Sequence, residues 1–284
     1  MDWNFGKIYK DVRKSKGITQ NKVCNDVLSR TTLSKIENSK IMPSYQTMDY
    51  LLKQINMSFD EFEYICNKYH PSKHVDLLRR YELLSVNCDY LEIDSLIDDC
   101  QNYLKFEDDY RIEDILSILV ASKVALNDNP NNISCLSRII SNRLWTRLQS
   151  QDNWYLNDLK MIGATLYNFN IESLESLYPL LIKRLDYYSD LEEVSILKLS
   201  ILINLSTIYL SNDMYIHCLE VTECALILCY EVKRYDFLAI AYIRKGICKG
   251  DNKDINKGID ILNITDEVDL KFELEKEIKH FMVR

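Results

Sequence analysis

Residues 25–40, NDVLSRTTLSKIENSK, carry hydroxyl, amide and cationic side chains where a buried turn would carry aliphatic ones. These groups match the hydrogen-bonding edges of bases and the phosphates of a nucleic-acid duplex. Leu33 and Ile36 are three residues apart, which predicts that both lie on the inward face of a helix. The helical period then turns the polar side chains outward or to one edge. These side chains are Arg30, Thr31, Ser34, Lys35 and Asn38.

Five short helices are predicted within the first seventy residues, and they would position this polar surface. The first has apolar residues at helical spacing and is ended by Gly17. Thr19 is placed to cap the second helix, and Pro43 with Ser44 opens the fourth. Residues 58–61, SFDE, have the capping-box pattern that opens a fifth. The second and third helices, joined by a tight turn, predict a helix-turn-helix.

Charge is distributed unevenly along the chain. Residues 1–40 contain nine Lys and Arg against four Asp and Glu, a net charge of +5, whereas the whole chain is −8 and the remainder is therefore −13. A cationic N-terminal region attracts phosphate while an anionic body repels it, which favours one docking orientation on nucleic acid. A solvated cationic helix surface is the alternative interpretation.

Composition indicates an all-α protein. The chain has 284 residues, 47% of them hydrophobic, with six Gly and four Pro, so it has enough apolar content for a core and few breakers. We predict a DNA-binding domain over residues 1–68, a linker over 69–74, where a His-Pro pair interrupts the pattern, and a helical repeat domain over 75–284. The apolar residues of the last region keep a helical period between short polar turns.

Small residues twelve positions apart indicate a repeat within residues 75–284. Such a pair, one residue on each helix of a hairpin, lets two backbones approach closely. Leu205, Tyr209 and Ala225 also fall where tetratricopeptide repeats place their packing residues, so we predict a tetratricopeptide-like α-solenoid with a concave groove. The pairs are Ser122/Ser134, Ala164/Ser176, Ser206/Cys218 and Gly246/Gly258.

The stretch ITQNKV…LSKIENSKIMPSYQTMDYLL resembles the helix-turn-helix of the xenobiotic-response-element (XRE) and lambda-repressor-like family. Thr19 and Gln20 stand at the start of helix two, and residues 33–37 lie in helix three. The turn is one residue shorter than the commonest spacing, and Leu28 stands where that family usually has Gly. The resemblance implies a five-helix lambda-repressor-like domain that binds double-stranded DNA.

Residues 12–19, VRKSKGIT, and residues 143–169, RLWTRLQSQDNWYLNDLKMIGATLYNF, resemble the Rgg subfamily of regulators, also called MutR or GadR. This resemblance covers essentially the full chain and implies a quorum-sensing transcription regulator controlled by a peptide pheromone. By this analogy Gln20 meets a phosphate, while Arg13 and Lys16 clamp the DNA backbone. The residues expected to face bases or adjacent phosphates are Arg30, Thr31, Thr32, Ser34 and Lys35. For Thr32 and Glu37, capping or packing is the alternative role.

The predicted groove is lined by the first helix of each hairpin. An amide such as Asn204 within ILINLSTIYL is costly to bury unpaired, but on a groove wall it can pair with the main chain of an extended peptide. Arg244 or Lys123 could receive a carboxylate, and a neighbouring helix could instead satisfy Asn204. The predicted peptide-binding residues are Lys123, Met161, Asn168, Phe169, Ile203, Asn204, Thr207 and Arg244.

Other classes of function have little support in the sequence. It contains no GxGxxG, GxxxxGK, HExxH or GxSxG motif, and its four histidines stand apart, so we expect no catalytic residues, no metal site and no cofactor. No window resembles a signal peptide or an uninterrupted membrane span, which predicts a cytoplasmic protein without a membrane partner. The nine cysteines form no CxxC pair, and we expect most of them to be reduced core residues.

Taken together, these features predict a homodimeric regulator in which a peptide bound to the repeat domain alters the placement of the DNA-binding domains, or their contact with RNA polymerase. Dimerisation is expected through the last helices. One alternative is an interaction scaffold whose basic domain has no sequence preference. Another is a redox-controlled DNA-binding regulator without a peptide, with Cys24 as the sensor.

Overall fold

A computed structural model describes residues 4–24, 27–84, 90–127 and 145–282. Within these ranges the chain forms helices and no strand, which confirms the predicted all-α fold. It divides into an N-terminal unit, Met1–Ile112, and a C-terminal unit, Glu113–Arg284. The first helices are α1 Phe5–Ser15, α2 Gln20–Val23, α3 Arg30–Glu37, α4 Tyr45–Gln54, α5 Phe59–Cys66, α6 Lys73–Leu83, α7 Tyr90–Leu104 and α8 Tyr110–Asn127.

The later helices all belong to the C-terminal unit, and residues 145–149 are also helical. They are α9 Leu156–Ala164, a 3-10 turn Leu166–Asn168, α10 Ile171–Asp186, α11 Glu192–Ser211, α12 Tyr215–Val232, α13 Tyr235–Lys249, α14 Asn252–Ile264 and α15 Val268–Met282. The predicted boundary between domains, residues 69–74, overlaps the first two residues of α6, which lies in the N-terminal unit. That boundary stays a prediction.

Side-chain caps start the first five helices. The Thr19 hydroxyl accepts a hydrogen bond from the backbone N–H of Lys22, as the sequence predicts for the start of α2. Ser44 and Ser58 cap α4 and α5 in the same way, each accepting from a backbone N–H three residues on. Gly17 follows α1 with a positive φ of 68°, a conformation that favours glycine. Local sequence therefore determines where these helices begin and end.

The core of the N-terminal unit holds α3 by its apolar face. Leu33 and Ile36 are buried, as predicted, and pack with Tyr9 of α1 and Leu51 of α4. The Tyr9 hydroxyl donates to the Leu51 carbonyl oxygen at 3.2 Å, so this buried phenol is satisfied. A Cβ on Gly6 would lie 1.8 Å from the Ile36 carbonyl oxygen, so α1 and α3 pack backbone to backbone at this point.

The C-terminal unit consists of helices in which sequence neighbours pack against each other. The Tyr230 and Tyr242 hydroxyls lie 2.6 Å apart and Lys249 Nζ lies 2.7 Å from Glu223 Oε1, which shows that α12 and α13 run antiparallel. Leu205, Tyr209 and Ala225 are buried, as expected for packing residues of a helical repeat. The predicted helical-repeat architecture is confirmed.

Two of the predicted small-residue pairs lie at helix crossings. Cβ atoms on Gly246 and Gly258 would meet backbone atoms at 2.8 and 2.7 Å respectively, so α13 and α14 cross closely there. The Cys218 thiol lies 3.4 Å from the Ser206 carbonyl oxygen. The pair Ser122/Ser134 includes a residue outside the described ranges.

The predicted crossing at Ala164 and Ser176 is wrong, because both residues are exposed. Helix α9 ends at Ala164 and the 3-10 turn follows it, so Ala164 stands at a helix end. The neighbouring Gly163 faces a different helix, since its Cβ would lie 3.0 Å from Ile201 Cγ1 of α11. The close approach at this end of α9 is therefore to α11 and not to the helix that carries Ser176.

A stretch of α11, Glu193–Ser211, is long and apolar enough to pass a membrane-span test by length and composition. Within the described part of the chain, 56% of its apolar window is buried against other helices. This burial is typical of a core helix.

Substituting Gly6 with Ala tests the contact between α1 and α3. We expect the N-terminal unit to lose about 1–3 kcal/mol of stability, because backbone must shift to admit the methyl group. Urea unfolding of the full chain, with hydrogen exchange followed over residues 5–66, measures the loss. Lys7→Ala, at an exposed neighbouring position, is the matched control, and equal stability of the two variants would contradict this packing.

Candidate functional site

The outward side of α3 forms the rim of a shallow concavity of about 400 Å³. Ser29 caps α3 by accepting from the Thr32 N–H at 3.1 Å, and burial of Leu33 and Ile36 fixes which side of the helix faces solvent. We call the lining of this concavity the polar face. It comprises Gln20, Arg30, Thr31, Ser34, Lys35, Asn38 and Lys40.

The polar face combines three cations with hydroxyl and amide groups. Arg30, Lys35 and Lys40 are exposed and give the surface a positive charge. The amide of Asn38 is held on both sides, because Lys10 Nζ donates to its Oδ1 at 2.9 Å and its Nδ2 donates to the Ser34 carbonyl oxygen at 2.8 Å. Donors and acceptors of this kind suit base edges and phosphates.

A buried ion pair lies directly behind the polar face. Arg13 of α1 is 5% exposed and Glu37 of α3 is 1% exposed. Arg13 Nε donates to Glu37 Oε1 at 2.6 Å and Nη2 donates to Oε2 at 3.0 Å, a two-point contact. Arg13 Nη1 donates to the Ile18 carbonyl oxygen as well.

This placement corrects the predicted role of Arg13 as a clamp on the DNA backbone. Its guanidinium is used inside the unit, where the Glu37 carboxylate offsets its charge. The alternative role considered for Glu37, packing, is the one observed, because its side chain is buried in this contact.

Gln20 connects the buried pair with the surface. Its Nε2 donates to Glu37 Oε2 at 2.8 Å, and its Oε1 accepts from Arg30 Nε at 3.5 Å, the long limit of a hydrogen bond. The carboxylate therefore orients Gln20, and Gln20 in turn touches Arg30. This chain of contacts fixes the N-terminal edge of the polar face.

Lys16 also departs from its predicted role. Its Nζ donates to the carbonyl oxygens of Ile55 and Asn56, at 2.8 and 3.3 Å. These carbonyls follow the end of α4, where backbone acceptors lack helical partners and attract a cation. The side chain thus caps α4 and does not line the polar face.

Two residues near the polar face have local roles. Thr32 is half-buried, and its hydroxyl lies 2.8 Å from the Ser29 hydroxyl, next to the cap of α3. Cys24 is half-buried, and burial with the nearby Glu37 carboxylate raises the pKa of its thiol. A raised pKa lowers the thiolate fraction, which disfavours Cys24 as a redox sensor.

The structure buries several residues of the predicted peptide groove. Met161 and Ile203 are only 4% and 5% exposed, so they act as core residues. Arg244 is also buried, and its Nη1 donates to the Ile203 carbonyl oxygen at 2.9 Å and to Ser206 Oγ at 2.7 Å. Its Nε lies 3.0 Å from Glu277 Oε1 of α15. Arg244 therefore joins α11, α13 and α15, which corrects its predicted role as a receptor for a ligand carboxylate.

Other groove residues remain partly accessible. Asn204 is half-buried, and its Oδ1 accepts from the Tyr167 hydroxyl at 3.2 Å. Thr207 is half-buried one turn further along α11, where its hydroxyl donates to the Ile203 carbonyl oxygen. Phe169 is half-buried beside the Trp145 ring, with ring centroids 5.2 Å apart. Lys123 is half-buried on α8 and Asn168 lies in the 3-10 turn.

Sequence reasoning left Lys40 and Tyr167 out of the predicted sites. The sequence contains one signal for Lys40, because it is the next cation after the third predicted helix. Tyr167 lies three residues before Asn170 in the stretch LYNFN, and no local pattern indicates its contact with Asn204, 37 residues away. Among the described residues, no group of three or more His, Cys, Asp or Glu is placed to hold a metal ion.

The fold and the polar face define a protein with an N-terminal helix-turn-helix and a C-terminal array of helical hairpins. A family model described as helix-turn-helix matches residues 10–62, which covers α2, α3 and the polar face. Among curated proteins, none is similar enough in sequence to count as a relative.

Solved structures from bacteria share the fold of the whole chain. A protein from Listeria monocytogenes EGD-e, assigned as a transcriptional regulator, is 18% identical with a TM-score of 0.75, and the match covers 99% of this chain and 98% of that one. The pheromone receptor Rgg2 of Streptococcus dysgalactiae is 19% identical with a TM-score of 0.67, over 97% and 99% of the two chains. ComR from S. thermophilus, solved with DNA and its signalling peptide ComS, is 15% identical with a TM-score of 0.63, over 96% and 98%. The expected likeness to Rgg regulators is confirmed for the fold.

Replacing Glu37 with Ala tests the ion pair behind the polar face. We expect a loss of about 3–5 kcal/mol in the free energy of unfolding of the N-terminal unit, because the buried Arg13 cation loses its carboxylate. The double variant Arg13→Met with Glu37→Leu removes both charges and should cost less. Urea unfolding with hydrogen exchange over residues 5–66 measures both. A loss of only about 1 kcal/mol for Glu37→Ala, as for an exposed pair, would contradict this role.

Proposed function

We propose that this protein is a transcription regulator that reads a specific DNA site through the polar face and responds to a short peptide bound by its C-terminal unit. The observation that carries the DNA role is the face itself. Its three cations are exposed, with hydroxyl and amide groups between them, around the outward side of α3, whose other side is buried beside the Arg13–Glu37 pair. The helix-turn-helix match over residues 10–62 supports the same role.

In this proposal α3 enters the major groove, which is wide enough for one helix. Arg30 contacts a base edge or an adjacent phosphate, and Thr31 and Ser34 offer hydroxyls to neighbouring groups. Lys35 and Lys40 approach the phosphates, while Gln20 combines a phosphate contact with its support of Arg30. We assign DNA reading to residues 1–68, linked by residues 69–74 to a sensing region over 75–284.

Substituting Arg30 with Ala tests the reading face. We expect weaker binding to the DNA upstream of the gene by about 1–3 kcal/mol if Arg30 reads a base, and a salt slope smaller by about 1 if it meets a phosphate. Fluorescence anisotropy at several salt concentrations measures both. Arg79→Ala removes the same charge from an exposed position on α6 and is the matched control. An unchanged affinity and an unchanged salt slope in Arg30→Ala would show that Arg30 does not contact DNA. Binding by the wild type that is indifferent to sequence and lost at higher salt would favour the alternative, an interaction scaffold whose basic domain has no sequence preference.

The peptide role rests on the fold and on accessible polar groups of α11. ComR, which shares this fold at 15% identity, was solved with its signalling peptide, and Rgg2 is a pheromone receptor. We assign peptide contact to the surface around Asn204, because its side-chain amide is partly exposed and its hydrogen-bond partner, Tyr167, is 55% exposed. An extended peptide can replace that bond with its own backbone groups. Lys123, Asn168, Phe169 and Thr207 remain the further candidates.

Substituting Asn204 with Ala tests the peptide surface. The probes are labelled synthetic peptides copied from the C-terminal ends of short reading frames beside the gene. Loss of hydrogen bonds should weaken binding by about 0.5–1.5 kcal/mol, up to about tenfold, as measured by fluorescence polarisation. Asn256→Ala, at an exposed position of α14, is the control. Wild-type affinity of Asn204→Ala would exclude this surface, and failure of every peptide would exclude the peptide role but leave the DNA role intact.

We further propose a cytoplasmic homodimer that contacts RNA polymerase from its operator. Apolar side chains near the end of the chain support self-association. Val268 and Phe272 of α15 are 72% and 58% exposed, and Ile264 at the end of α14 is 82% exposed. Leu274 of the same helix is buried, so the contact would use the exposed side chains of α15.

A further inference from the structure

A tyrosine of α4 holds the C-terminal end of α2, the short helix that carries Gln20. The Tyr50 hydroxyl donates to the Val23 carbonyl oxygen at 2.7 Å. Val23 is the last residue of α2, and a helix leaves its last carbonyl oxygens without an intrahelical donor. Tyr50 is half-buried, with its ring packed against the core of the N-terminal unit. One hydroxyl therefore joins α4 to α2 across 27 positions of the chain.

Helix α2 has only four residues, so its own backbone bonds cannot fix its position. Nucleating a single helical turn is unfavourable, because it fixes several backbone dihedrals for very few hydrogen bonds. Contacts with the rest of the unit must place the helix instead. Before its N-terminus, Arg13 Nη1 donates to the Ile18 carbonyl oxygen, and inside it the Val23 side chain is fully buried. The Tyr50 bond holds the opposite end.

The position of α2 decides whether Gln20 reaches Arg30. Gln20 is the first residue of α2, and its Nε2 donates to Glu37 Oε2 at 2.8 Å. Its Oε1 accepts from Arg30 Nε at 3.5 Å, which is the long limit of a hydrogen bond. A shift of α2 away from α3 by a few tenths of an ångström therefore breaks the contact with Arg30. The contact with Glu37 is shorter and tolerates the same shift.

We propose that Tyr50 is a positioning residue for DNA reading, whose hydroxyl holds α2 at the distance from α3 that lets Gln20 support Arg30. This inference rests on the proposed DNA role of the polar face. Tyr50 is not part of the lining of that face, so it acts through Gln20 and Arg30 and not by contact with DNA.

The ring and the hydroxyl of Tyr50 have separable roles. The ring packs against the core, and a phenylalanine ring has nearly the same volume, so α4 does not need the hydroxyl in order to pack. The hydroxyl supplies a directional bond to one carbonyl oxygen, which limits both the distance and the angle between Tyr50 and the end of α2. Removing the hydroxyl takes this donor from the Val23 carbonyl and this link from α2.

Substituting Tyr50 with Phe tests the assignment, because the change removes only the hydroxyl. We expect the full-length protein to bind the DNA upstream of the gene about two- to tenfold more weakly, the range for loss of one hydrogen bond. Fluorescence anisotropy measures the affinity. Hydrogen exchange should become faster at residues 19–24 and stay unchanged at residues 5–15. Tyr64→Phe removes a hydroxyl from an exposed position of α5 and should leave both measurements at their wild-type values.

A double-mutant cycle with Gln20→Ala distinguishes positioning from a general loss of stability. If Tyr50 acts through Gln20, Tyr50→Phe should weaken DNA binding in the wild-type background and have no further effect in the Gln20→Ala background. A purely structural role of the hydroxyl would lower the affinity by the same factor in both backgrounds. All four proteins are compared at a temperature at which circular dichroism shows each of them to be folded, so that partial unfolding does not imitate the result.

Three outcomes would overturn the proposal. Wild-type affinity of Tyr50→Phe would exclude the positioning role but leave the DNA role intact, since Arg30→Ala tests that role separately. Equal effects in the two backgrounds would show that Tyr50 does not act through Gln20. Unchanged hydrogen exchange at residues 19–24 would show that the hydroxyl does not hold α2.

Discussion

The buried ion pair between Arg13 and Glu37 is the contact on which the N-terminal unit depends most. It links α1 to the last residue of α3 across 24 positions of sequence, inside a core where an unpaired charge would be costly. Gly6 brings the two helix backbones into contact, so the distance that the ion pair must span is fixed. Because Gln20 bonds to the same carboxylate and touches Arg30, the pair also orients the edge of the polar face.

The C-terminal unit uses a related arrangement for a different purpose. Arg244 is buried like Arg13, but it joins three helices by binding a carbonyl oxygen and a hydroxyl of α11 and a carboxylate of α15. Its position ties the last helix to α11 and α13, in addition to the packing of the buried Leu274. The exposed apolar side chains of α15, Val268 and Phe272, are those we assign to self-association.

Much of the N-terminal fold could be predicted from sequence because its signals are local. The caps at Thr19, Ser44 and Ser58 and the spacing of Leu33 and Ile36 each depend on a few neighbouring residues. The roles of Arg13 and Lys16 could not be predicted, since each depends on a partner far along the chain. A surface cation and a buried, paired cation look the same in a basic stretch of sequence.

The C-terminal unit shows the same limit. The close crossing at Gly246 and Gly258 could be predicted because small residues twelve positions apart, one on each helix of a hairpin, allow two helix backbones to meet. The crossing predicted at Ala164 and Ser176 failed because α9 ends at Ala164 and both residues are exposed, and spacing alone does not report where a helix ends. Side chains assigned to a groove, such as Met161 and Ile203, are apolar whether they face a ligand or a core, so only the packed structure distinguishes the two.

Selection of duplexes from a random DNA pool with the full-length protein tests whether α3 reads base sequence through the polar face. We predict that the wild type enriches one defined motif and that Arg30→Ala loses the preference at one position of that motif. Enrichment of no motif by the wild type would contradict base reading by α3. Enrichment of the same motif by the wild type and by a variant with Arg30, Thr31, Ser34 and Lys35 all replaced by Ala would also contradict it.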